Sequence, residues 1–150
     1  MSTIDGFVKI KFTYTFDEGY EDQIESMWAT PCGLNYKLEN IPFYVKEFAL
    51  GDVICTKTCD GELYVDDLVE ESGSSTIQIV FFEKTIVQKT RQELKVLGCD
   101  SEISDKPHLI AVDVPKSVNY KNSIVPYLEN GFRQDLWDYQ EACLSSVHSG

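Results

Sequence analysis

From Phe7 to Phe16 the chain alternates with a period of two. Val8, Ile10, Phe12, Tyr14 and Phe16 fall on one side, and Lys9, Lys11, Thr13 and Thr15 on the other. Successive side chains of a strand point to opposite faces, so this run is a half-buried strand and commits the first part of the chain to a sheet with one wet face. Residues 24–29 read as a second strand, ended by the turn Thr30-Pro31-Cys32-Gly33, where proline pre-sets φ. Leu34, Tyr36 and Leu38 alternate with polar residues as a third. Gly51 opens a fourth that runs to Thr58. Cys59-Asp60-Gly61 is a hairpin signal, and residues 62–69 return from it. Residues 1–71 are therefore expected to form a strand-rich half, a small curled sheet or barrel.

After Ser72-Gly73-Ser74-Ser75 the period changes. Residues 76–82 make a β-branched and aromatic strand. Thr85 and Gln88 have capping-box spacing, and Ile86, Val87, Thr90, Leu94 and Leu97 follow at helical intervals to a stop at Gly98. A short strand is expected near Glu102-Ile103 and another over residues 108–114, ended by Pro115. Residues 117–130 read as a second helix with Gly131 behind it; Pro126 requires either a start near Ser123 or a kink. Residues 136–144 close as a strand. The order strand-helix-strand-strand-helix-strand is the split βαβ plan of ferredoxin-like units. The expected fold is α+β: residues 1–71 packed on a βαββαβ half over residues 72–150. The serine-rich joint is only of loop length, so the two halves should form one unit with one core and bury both Trp28 and Trp137.

Several pieces recur at a familiar spacing: Glu25-x-x-Trp28-Ala29, Tyr36-x-Leu38-x-Asn40-Ile41-Pro42-Phe43, Leu50-Gly51-Asp52, Ser72-Gly73, Asp113-Val114-Pro115 and Trp137-Asp138-Tyr139-x-Glu141-Ala142. In these the chain resembles, over nearly its full length, the bacterial family of the domain of unknown function 4265. The resemblance implies a bacterial origin and brings no reaction, cofactor or catalytic residue. Members of that family often carry an arginine near the position held here by Gln78, so the resemblance by itself speaks against an anion site at that residue.

Charge narrows the partners. With 25 acidic and 13 basic side chains the formal net charge is −12. Nucleic acid and anionic membranes require a basic footprint, which is missing. An acidic surface instead steers cationic proteins, although charge also keeps many soluble proteins dispersed without any partner. The N-terminal Met-Ser-Thr-Ile-Asp-Gly lacks a basic and apolar leader, and no apolar run reaches membrane-spanning length, so a cytoplasmic location is expected.

Candidate chemistry is sparse. Cysteines at 32, 55, 59, 99 and 143 lack C-x-x-C spacing and read as small buried hydrophobes. His108 and His148 are the only histidines, and His148 sits in a serine-rich tail. No metal, cofactor or catalytic group is expected, and the chain does not read as an enzyme. Trp28, Tyr36, Phe43 and Tyr44 read as core before pocket. Asn40, Asp52 and Asp113, each beside Pro or Gly, read as turn-setting side chains.

One cluster stands apart. Asp60, Glu62, Asp66, Asp67, Glu70 and Glu71 lie within a dozen positions, with Tyr64 among them. The alternation slips at Asp66-Asp67, where a bulge would turn carboxylates outward that a regular strand splits between faces. These residues are the expected docking surface for a basic protein. The most concrete reading is an immunity protein that neutralises a bacterial toxin, with a nuclease domain as partner. The alternative is a non-catalytic adaptor or small-molecule-sensing domain, and an enzyme with an unrecognised site comes last.

Overall fold

A computed structural model describes residues 3–4, 6–15, 22–106 and 108–149. Among the described residues, ten strands and three α-helices follow the order β1 (Thr3–Ile4), β2 (Phe7–Tyr14), β3 (Gln23–Cys32), β4 (Asn35–Leu38), β5 (Val53–Cys59), β6 (Glu62–Glu70), β7 (Ser75–Phe81), α1 (Val87–Val96), β8 (Asp100–Ile103), β9 (Leu109–Val114), α2 (Val125–Arg133), β10 (Trp137–Cys143) and α3 (Ser146–Ser149). The fold is mixed α+β and rich in strands, with two sheets.

The first sheet has the order β1-β2-β3-β4-β5-β6 and curls until β6 meets β2 again, at Lys11 and Tyr64. The alternation of β2 is realised: Val8, Ile10 and Phe12 are buried and join Met27, Ala29, Leu38 and Ile54 in the interior. The last residue of the predicted run, Phe16, lies outside the described residues. β3 runs past its expected end. Pro31 and Cys32 remain paired, with Tyr36 and Asn35, and the turn is Gly33-Leu34. Pro31 lies beyond the last β2 partner of β3, the pair Val8 and Ala29, where a missing N–H costs the ladder little. Leu34 consequently sits at the turn tip, fully exposed, instead of on a strand face.

The second sheet has the order β10-β7-β9-β8, with every neighbouring pair antiparallel. Ile77, Ile79 and Phe81 of β7 face the helices and pack with Leu94, Ile124 and Leu128. The alternate residues Gln78 and Val80 belong to the opposite face. α1 begins without a side-chain cap, so the Thr85–Gln88 capping box does not form; a short 3₁₀ turn, Lys84–Ile86, leads into the helix instead. Before α2, residues Tyr120–Ile124 make one π-helical turn, entered through Asn119, whose side chain accepts the Asn122 N–H. Pro126 then falls in the first turn of α2, so the late start is realised.

Gly131 is not a stop signal. It lies inside α2, and a Cβ there would come within 2.0 Å of the Trp137 ring. Trp137 is 3% exposed, and its Nε1–H donates to the Leu128 carbonyl at 3.0 Å. Trp28 differs. Met27 and Ala29 point into the barrel, so Trp28 points out, half-buried, edge-on to Phe7 and beneath the Lys9 ammonium. The buried side chains gather into two clusters, one for each sheet, rather than the one core expected. Of the five cysteines only Cys99 is buried; Cys32 and Cys59 are exposed.

Candidate functional site

The acidic hairpin is built by β5 and β6. Asp60 and Gly61 both take positive φ, the backbone a two-residue hairpin turn requires. The register then slips twice. Cys55 faces Asp67 and Thr56 faces Val65, which leaves Asp66 as an extra residue; Val53 faces Glu70 and Ile54 faces Leu68, which does the same for Val69. The expected bulge at Asp66 is therefore present, and Asp66, Asp67, Leu68, Val69 and Glu70 are all exposed. The other candidates are partly engaged. Glu62 pairs with Lys11, whose ammonium also lies 6.0 Å from the centroid of the half-buried Tyr64 ring. Asp67 accepts the Leu68 N–H at 2.8 Å. Glu71 accepts both the N–H and the hydroxyl of Ser146, which holds its carboxyl below the usual range. Asp60 projects at the turn.

A second surface lies where the halves meet. Glu25, 9% exposed, accepts the backbone N–H groups of Phe43, Tyr44 and Val45 at 2.7–3.1 Å. A carboxylate that takes three N–H donors pins that loop against the barrel. Tyr44 stacks on Tyr14, with centroids 5.4 Å apart and planes at 12°, and its hydroxyl donates to Asp105. Facing these rings are Gln78, Val80 and Phe82, and between them is a cleft of about 610 Å³. Of the four aromatics singled out in the sequence, only Phe43 and Tyr44 line it; Tyr36 packs against the barrel core and Trp28 faces elsewhere.

Bonds between the halves bind this region together. The Thr76 hydroxyl donates to the Phe48 carbonyl, and the Glu47 N–H to Ala142. Asp52 sets its turn, as expected, accepting the N–H groups of Ala49 and Ser72; burial still pushes its carboxyl above the usual range. Asn40 likewise accepts the Trp28 N–H at 2.6 Å. Asp113 does not set a turn. It sits in β9 directly opposite Asp100, with one carboxylate oxygen buried and unpartnered. Burial, with the Asp100 charge adding to it, lifts its pKa to about 6.

Sequence patterns missed His148. Its Nδ1 lies 2.6 Å from the Ser75 hydroxyl, and its Nε2 lies 3.1 Å from the carbonyls of Pro115 and Val118. Carbonyls only accept, so Nε2 carries a proton; Nδ1 also lies 3.3 Å from the Ser145 hydroxyl. The serine–histidine contact resembles a nucleophile and base, but Ser75 is completely buried and no carboxylate among the described residues bonds to the ring. It is a tether for α3.

These features define a two-sheet α+β protein with an acidic hairpin and an inter-sheet cleft. Residues 25–139 match the model of the family described as Domain of unknown function (DUF4265), and the chain belongs to that family. A crystal structure of a hypothetical protein from Neisseria gonorrhoeae has the same fold, with a TM-score of 0.76 and 22% identity over 93% of this chain and 96% of that one. No curated protein matches the sequence. Among the described residues no helix is long and apolar enough to cross a membrane.

Proposed function

We propose that this chain is an acidic, non-catalytic binding protein of the cytoplasm that neutralises a basic protein, most concretely an immunity protein acting on a bacterial toxin with a nuclease domain. The observation that carries the reading is the doubly bulged β6, which exposes Asp66, Asp67 and Glu70 around the apolar Leu68 and Val69. Charges at such a surface set association rate and specificity, while the apolar residues between them supply affinity. The net charge of −12 acts in the same direction at long range. In this reading residues 1–71 and 72–150 act as one unit, the first half a small barrel and the second a ferredoxin-like βαββαβ. The β2–β6 contact supports the first description, and the strand order β10-β7-β9-β8 with helices after β7 and β9 supports the second.

The test replaces Asp66, Asp67, Glu70 and Glu71 with the matching amides and follows binding to the product of the neighbouring gene at low and moderate salt. Slower association with a flatter salt dependence is expected. Unchanged association rates would remove the hairpin from the account, and no binding by the unmodified chain would sink the immunity reading.

A further inference from the structure

The inter-sheet cleft has a locally basic rim. Lys46 and Lys106 line it against one lining carboxylate, Asp138, in a chain of net charge −12. Lys46 has no carboxylate within ion-pair distance among the described residues. The Lys106 ammonium lies 5.7 Å from the centroid of the Tyr44 ring. His108 approaches the Phe81 carbonyl through Nδ1, at 3.3 Å; a carbonyl only accepts, so that nitrogen donates, and the Nε2 of a neutral ring is an acceptor, not a donor for an anion.

The walls are apolar and aromatic. Tyr14, Phe43 and Tyr44 form one of them; Glu25 holds the backbone of Phe43 and Tyr44, and Tyr14 stacks on Tyr44, so a guest meets a preorganised surface. Val80 and Phe82, 47% and 57% exposed, form the other. Between them Gln78 is 7% exposed; its amide oxygen accepts from Gln140 at 3.0 Å, while its Nε2 has no partner. An N–H donor buried without an acceptor costs free energy that an incoming oxygen recovers once the side chain adjusts.

A volume of about 610 Å³ suits a small molecule. We infer that this cleft binds a small aromatic carboxylate, its ring between Phe82 and the Tyr14–Tyr44 stack and its carboxylate at Lys46. The charge for the anion comes from the rim, not from residue 78, so the glutamine there is no obstacle. This site is independent of the basic-partner reading, and either stands if the other fails.

The experiment titrates the ¹⁵N-labelled full chain with 3-phenylpropanoate and, separately, with the neutral 3-phenylpropanamide, following the side-chain amide signals of Gln78 and Gln140. Saturable shifts of both signals by the carboxylate are expected, with the amide at least roughly fivefold weaker and Lys46→Ala weakening the carboxylate about threefold or more. Equal binding of acid and amide would reduce the site to an apolar groove and overturn the inference. Shifts confined to other residues, or none that saturate, would also overturn it. The acid–amide comparison needs only the unmodified chain, so it decides the matter even if Lys46→Ala fails to fold.

Discussion

The two halves use buried carboxyl and amide side chains in opposite ways. In the barrel half, Glu25 accepts three backbone N–H groups and Asp52 accepts two, so each buried carboxylate holds a loop in place. In the sheet half, Gln78 and Asp113 each keep a buried polar atom without a partner. What positions the sheet half is apolar fit instead, above all the Trp137 ring lying on the bare backbone of Gly131. A charge with several donors defines a loop because removing it strands them all, whereas close packing tolerates no added atom. The barrel half is held by carboxylates that collect backbone donors, whereas close packing and the His148 tether hold the sheet half, and one unpartnered polar atom, Gln78 Nε2, is left at the cleft.

Four measurements test that contrast. The largest effect is expected from Gly131→Ala, where the new methyl would overlap the Trp137 ring: a loss of about 3 kcal/mol or more in denaturant unfolding. A loss under about 1 kcal/mol would mean that shape does not govern the sheet half. Next is Glu25→Ala, which strands three N–H donors and should cost about 2–3 kcal/mol and loosen residues 43–45, read as faster amide exchange there.

Asp113→Asn should act in the other direction. The Asp113 pKa is raised to about 6, so between about pH 4 and 6 the folded state holds a proton that the unfolded state has released, and stability falls as pH rises through that window. The asparagine variant should thus be more stable than the parent at pH 7.5, by on the order of 1–2 kcal/mol, with the gain fading below about pH 5. A gain that is the same at both ends of the range would exclude the carboxylate charge as its cause. Smallest of all, exchanging Asp66 and Asp67 for asparagine should leave stability within about 0.5 kcal/mol, because both are exposed. A larger loss would show that the bulge is held by its charges.

What was legible in the sequence was local. The period of β2, the Asp60-Gly61 hairpin, the bulge at Asp66 and the helix stop at Gly98 each depend on neighbours a few positions away. The end of β3 was misplaced because Pro31 is tolerated only by reason of where β2 stops. Trp28 was assigned to the core by residue type, although its own alternation with Met27 and Ala29 put it outside. Glu25, Gly131 and His148 had no local signal for their roles: Glu25 holds residues 18 to 20 positions away, Gly131 packs on one 6 away, and His148, besides Ser145 three positions before it, meets residues 30 to 73 away on other elements. The cleft was illegible for the same reason, since its walls come from opposite halves of the chain, and only Phe43 and Tyr44 among its rings were singled out in the sequence.

The His148 tether has a consequence for the order in which the chain acquires its structure. Every strand pairing of the barrel is complete by Glu70, including the closing contact between Lys11 and Tyr64. The central strand β7, by contrast, finds its β10 partner only at Trp137–Cys143, and its Ser75 hydroxyl waits for an imidazole 73 residues downstream. During synthesis, which proceeds from the N-terminus, the barrel can close while the second sheet still lacks an edge. Until Trp137–Cys143 leave the ribosome, β7 presents an edge without its β10 partner, and the His148 tether can form only after that edge is covered.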